Sequence, residues 1–256
     1  MPSLIYAQSP ALTRGPVSLA TAHTTTHTGV QSLLANPAGL YNIENTMVKF
    51  SATTRYSESA FTTMDALIAI PLTYTTLEVS ASHFGDDIFG IDRLSVAAGH
   101  RMGIASLGLR LHSFTYRTEA TGSRTVVVAE AGGRAELSEK LSVGAWILNP
   151  GQARVSEAEY FPTMMSLGLA YKTTDALLLL IEAEKDVQAP ATIKAGLHYT
   201  LNEFIRAMIG IQTRGHRLSA GISFYKSRFD FQYATAWTGL PGFRHQLGLG
   251  YQIQGK

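Results

Sequence analysis

Residues 229–237 read Phe229-Asp230-Phe231-Gln232-Tyr233-Ala234-Thr235-Ala236-Trp237, large and aromatic side chains alternating with small or polar ones. Successive side chains of a strand point to opposite faces, so this period of two gives one apolar, aromatic face and one small or polar face. The end of the chain repeats the pattern: Leu247, Leu249, Tyr251 and Ile253 oppose Gln246, Gly248, Gly250 and Gln252. Residues 217–224 do so again, with Leu218, Ala220, Ile222 and Phe224 opposing Arg217, Ser219, Gly221 and Ser223.

Working outward with the same rule divides the chain from Thr46 onward into fourteen segments: 46–56, 63–72, 75–84, 91–100, 104–116, 124–137, 139–148, 163–172, 175–185, 191–200, 203–213, 216–225, 227–237 and 243–253. A tilted strand needs about 10 residues to cross a bilayer, which is the length these segments have. Tight connections such as 100–103, 137–140 and 172–175 alternate with longer ones such as 85–90, 149–162 and 238–241. Short turns on one side and longer loops on the other are the outer-membrane arrangement, the short side being periplasmic. Lys49, Arg55, Asp65, Glu78, Arg110, Glu130, Arg134, Glu182, Glu184, Lys194, Arg206, Arg217 and Asp230 share the phase of the small residues, leaving the other face almost uncharged. A soluble sandwich places its large apolar side chains inward, against charged outer faces. Here the nearly uncharged face suits lipid and the charged phase a lumen. The expected fold is all-β, a 14-stranded antiparallel transmembrane β-barrel in the outer membrane of a Gram-negative bacterium. Trp237, Tyr233, Tyr251 and Tyr171, on the lipid-facing phase, read as interfacial anchors.

Composition narrows the field. Charged residues make up only 16%, below the usual quarter, and hydrophobic residues 45%. With a net charge of +2 there is no basic surplus to bind nucleic acid. The absence of cysteine removes disulfides, thiolate metal sites and cysteine nucleophiles. The longest apolar run, Ala176 to Ile181, is far short of the roughly 20 residues of a membrane-spanning helix.

Three regions are expected. Residues 1–8 read as the remnant of a signal peptide, a short apolar stretch ending in Ala7-Gln8. Residues 9–45 lack the period of two, and are expected to fold into the barrel as an N-terminal lumenal plug. Within them Val30, Leu33 and Leu34 have helical spacing before Pro37, and predict a short helix followed by a turn at Asn36-Pro37-Ala38-Gly39 near the periplasmic mouth. Residues 46–256 form the barrel. Glycines on the charged phase, among them Gly108 and Gly132, leave room for something inside.

The run Ser32-Leu33-Leu34-Ala35-Asn36-Pro37-Ala38-Gly39-Leu40, followed only by strands, resembles the signature of FadL-type outer-membrane proteins. It is most similar to their PorV/PorQ branch, associated with type IX secretion. Leu167-Gly168-Leu169-Ala170-Tyr171 and Ala195-Gly196-Leu197-His198-Tyr199 extend the likeness into the C-terminal third. The resemblance implies a fourteen-stranded barrel with an N-terminal hatch. The chain departs from it after Arg14-Gly15, where relatives carry a Gly-rich run, and in lacking the long loops of fatty-acid transporters.

No HExxH, GxSxG, P-loop or dinucleotide-binding motif occurs, so no enzyme activity, metal or other cofactor is expected. His23 and His27 stand four apart, but in a Thr-rich stretch that forms helix poorly. Glu130, Arg134 and Arg110, with Glu182, Arg206 and Lys194, are expected to pair as lumenal ions. A lumen of mixed charge disfavours an apolar ligand. The favoured function is therefore an accessory or structural subunit of a secretion or outer-membrane assembly machine. It would contact outer-membrane lipid and another outer-membrane or periplasmic protein, but no nucleic acid. The alternative is a FadL-like channel for small hydrophobic molecules.

Overall fold

A computed structural model describes residues 33–56, 58–119, 122–156, 159–239 and 242–253, together with Arg14, Ser18 and Ala20. Residues 1–8, read as a signal remnant, lie outside the described residues, as do His23, His27 and Val30. The strands are β1 (Thr46–Arg55), β2 (Glu58–Pro71), β3 (Thr76–Gly85), β4 (Phe89–Met102), β5 (Ala105–Thr118), β6 (Gly122–Glu136), β7 (Leu141–Leu148), β8 (Arg154–Ser156), β9 (Glu159–Tyr160), β10 (Met164–Lys172), β11 (Leu177–Asp186), β12 (Thr192–Thr200), β13 (Ile205–Gln212), β14 (Arg217–Lys226), β15 (Phe229–Trp237) and β16 (Phe243–Ile253). All but β8 and β9 join in sequence order into one closed antiparallel barrel, which β1 and β16 seal by pairing from Thr46↔Ile253 to Arg55↔Arg244. Closure leaves no unpaired edge, the condition for a sheet to stand in hydrocarbon.

The period of two places the faces as expected. Phe50, Leu94, Leu109, Leu167, Ile209 and Leu249 are exposed on the outside, while Lys49, Arg110, Glu130 and Gln232 are buried within. Trp237 stands at the loop end of β15, and Tyr171 and Tyr251 near the opposite rim, all exposed, as interfacial anchors stand. The outward face carries an ionic cluster near the loops. There Asp92 accepts from His83 Nδ1 at 2.7 Å and from Arg117 Nε at 2.9 Å.

The two rims differ less than the sequence suggests. Turns at 72–75, 103–104 and 137–140 face the side that holds Thr46 and Ile253, whereas 86–88, 187–191 and 213–216 lie on the other. The asymmetry rests mainly on residues 149–163, which are more than a plain loop, because β8 and β9 pair there as a small hairpin.

The chain just before the barrel corrects another expectation. Leu33 and Leu34 lie in a turn, and the helical element, a 3-10 helix, begins at Pro37 and runs to Asn42. Proline ends a helix only when it follows one. Here its fixed φ and missing N–H suit the first helical position. Asn36 caps it, its side-chain oxygen accepting from Ala38 N at 3.0 Å.

Candidate functional site

Strands β4, β5 and β6 each run inward from apolar through ionic to glycine, and the β5–β6 register aligns those two strands level by level. From the loop side, β5 presents Phe114, His112, Arg110 and Gly108, and β6 presents Val126, Val128, Glu130 and Gly132. The result is an apolar level, an ionic level and a glycine level.

The glycine level seats the turn. Gly99, Gly108 and Gly132 face one another across β4, β5 and β6 through the pairs Gly99↔Gly108 and Gly108↔Gly132. A Cβ on Gly108 would lie 2.2 Å from the Pro37 carbonyl carbon, and one on Gly132 1.9 Å from Asn36 Oδ1. The Asn36 amide thus reaches the wall, donating to the carbonyls of Gly133 at 3.3 Å and Ala145 at 3.2 Å. Pro37, Ala38 and Gly39 are buried with it, and Gly39 N donates to Asn36 O at 3.0 Å. Leu33, Leu34, Leu40 and Ile43 form a core with Met47, Leu67, Ala69 and Ala97 of the barrel wall. At the rim, Tyr41 donates to Glu136 at 2.9 Å. Burial, and then that bond, hold its phenol above the ordinary value, so it stays protonated.

The ionic level is centred on Glu130. Arg14 and Arg110 pair with it at 3.1 and 3.2 Å, and His112 Nε2 lies 3.0 Å away. Arg110 also meets Glu78 at 3.0 Å and donates to the carbonyls of Leu33 and Ala35 at 2.8 and 3.1 Å. Arg14 donates to Ala35 O at 3.3 Å and lies over the Trp146 ring at 3.8 Å. Barrel and N-terminal segment therefore share one network, in which each buried charge has a partner. Of the arginines expected as lumenal partners, Arg110 pairs with Glu130 and Arg134 does not. Arg134 bonds Glu136 at 2.7 Å and Tyr41 at 3.1 Å instead. Four residues along one strand put Glu130 and Arg134 about 13 Å apart, too far to meet.

The apolar level corrects the expectation of a polar, ionic lumen. Phe84, Ile91, Phe114, Tyr116, Val126, Val128, Trp146 and Leu148 form one buried cluster on the loop side. The 149–163 segment covers it, with Ala153 and Val155 packed against it. Asn149, at φ 58°, pins this segment, donating from Nδ2 to Phe161 O at 2.7 Å and accepting from Ala153 N at 2.8 Å.

The opposite wall is more open and polar. Lys194 bridges Glu182 at 3.2 Å and Glu184 at 2.7 Å, as expected for the first pair. Arg206 does not join them, and its guanidinium lies 5.5 Å from the Tyr225 ring centroid. Glu182 is level with Lys194 and Gln212, and Arg206 lies six residues further along β13, about 20 Å away. Lys172, His198, Thr200, Arg206 and Tyr225 line a cavity of about 500 Å3 at the short-turn rim. Higher on this wall, Ser219 Oγ donates to Ala20 O at 2.7 Å, so the N-terminal region touches both sides of the lumen. Among the described residues no three His, Asp or Glu side chains gather as a metal site.

Sequence reading missed Arg14, His112 and the inward aromatics. Arg14 had a signal: it is the only Lys, Arg, Asp or Glu among the first 43 residues. Phe114 and Tyr116 share the phase of Arg110, which marks an interior that is partly apolar.

No protein-family model matches the chain, and no curated protein is significantly similar to it. Solved structures do resemble it. A crystal structure of the Pseudomonas putida toluene transporter TodX aligns with a TM-score of 0.68 at 10% identity, over 96% of this chain and 100% of that one. A second TodX structure gives 0.66 at 9% identity over 92% and 96%. A deltaS2 mutant of TodX, described as a monoaromatic hydrocarbon channel, gives 0.62 at 10% identity over 94% and 99%. The fold is that of these outer-membrane β-barrels.

Proposed function

We propose that this protein is a channel of the Gram-negative outer membrane that admits small hydrophobic molecules. The carrying observation is the apolar level: eight barrel side chains, Phe84 to Leu148, form a buried hydrophobic lining at the loop-side mouth. Ligand sites for apolar molecules are apolar, with few polar groups. A secretion subunit needs no such lining, and that reading leaned on a polar lumen of mixed charge. Likeness of fold to a toluene transporter supports the channel reading. The ionic level and the Asn36–Gly39 turn lie below the lining, between it and the short-turn rim. In this reading they form the closed part of the path.

Trp146 belongs to the lining and is 3% exposed, whereas Trp237, the other tryptophan, faces outward. Toluene added to a Trp237→Phe variant in detergent micelles is expected to change Trp146 emission saturably, while glucose leaves it unchanged. Unsaturable change, or an equal response to glucose, contradicts the proposal.

A further inference from the structure

Resting on that channel reading, we propose that the Phe161 side chain occupies a ring-sized subsite of the lining, and that a planar monocyclic apolar ligand binds there by displacing it. Phe161 comes from the 149–163 segment, yet it is only 1% exposed. Its ring centre lies 4.7 Å from that of Phe114 with the planes at 39°, the spacing of a stacked or tilted aromatic pair. Val126, Val128 and Leu148 belong to the same buried cluster, so the ring's surroundings are those an aromatic hydrocarbon prefers. Removing a buried ring leaves an apolar space of the kind that takes up benzene.

The attachment of Phe161 suits exchange. It is separated from β10 by two residues, outside the barrel ladder, and its position depends on a few bonds. Its N–H donates to Ala153 O at 2.9 Å, its carbonyl accepts from Asn149 at 2.7 Å, and Asn149 also bonds Thr163 Oγ1 at 3.3 Å. Such bonds are few and individually weak, whereas the lining belongs to strands held in a closed barrel. Segment and ligand thus compete for one space. The apparent affinity for ligand is the intrinsic affinity reduced by the fraction of molecules with Phe161 withdrawn.

The test measures toluene binding by Trp146 emission in the Trp237→Phe background, in intact protein, with heat-dependent gel mobility reporting the folded barrel. Phe161→Ala is expected to bind toluene about tenfold or more tighter than the parent. Asn149→Ala, which unpins the segment and leaves the lining whole, is expected to tighten binding in the same direction. It carries the test alone if Phe161→Ala does not fold. If parent and folded variants bind toluene equally, the competition is overturned and the channel reading stands. If none binds toluene, the channel reading fails, and this inference with it.

Discussion

In planar bilayers a Gly132→Val variant is expected to conduct several-fold more than the parent protein. The strand itself accepts valine, since β-branched residues favour extended backbone. The turn above it does not. A Cβ at residue 132 would lie 1.9 Å from Asn36 Oδ1 and 3.0 Å from its Cγ, and the Asn36 amide is what reaches between β6 and β7. Gly108→Val is expected to act more strongly, because its Cβ would meet backbone, the Pro37 carbonyl carbon at 2.2 Å and oxygen at 2.4 Å. Backbone cannot swing aside as a side chain can, so the turn leaves its seat and the lumen opens. Deletion of residues 9–40 should reach a similar conductance without touching the wall. Parent-like conductance in all three proteins, with barrels shown folded by gel mobility, would mean that the segment does not block the path.

The second large effect is on stability. Glu130→Ala removes the carboxylate shared by Arg14, Arg110 and His112, two of them deep in the wall. Breaking a buried ion pair by deleting one partner costs about 3–5 kcal/mol, because a charge stays buried and unpaired. Arg110 retains Glu78 at 3.0 Å, so the cost should come chiefly from Arg14, and with it from the docking of the N-terminal segment. Glu182→Ala is the internal comparison. Lys194 keeps Glu184 at 2.7 Å, so that variant should lose clearly less. Urea unfolding in lipid or detergent, monitored by tryptophan emission, reads both. Equal losses in the two variants would deny Glu130 its central place.

What was legible in the sequence follows from how a barrel is written. Period two lies within each strand, so the fourteen barrel strands, their faces and the lumenal charges could be read locally. The ends agree to within a few residues: 243–253 is β16, and 91–100 lies within β4 (Phe89–Met102). Which inward residues meet is a different matter, because it depends on the stagger between strands, which no single strand contains. Glu182–Lys194 was within reach because β11 and β12 are neighbours joined by one short connection. Arg206 stays out of reach of Glu182 because one strand intervenes and the level differs by six residues. Phe161 was invisible for another reason. A loop residue that folds back over the lumen carries no periodicity, and residues 149–162 read only as one of the longer connections. The Asn36-Pro37-Ala38-Gly39 run was recognisable, yet its partners, three glycines on three strands, became meaningful only once the registers set them side by side.

The central claim, that the barrel passes small apolar molecules, is tested most directly by uptake into living cells whose outer leaflet is intact. Initial rates for labelled toluene and for a polar solute of similar size are compared in a Gram-negative host with and without the protein. The account predicts that the protein raises toluene uptake several-fold and leaves the polar solute unchanged. Toluene uptake that is the same with and without the protein, at matched outer-membrane levels, would contradict it.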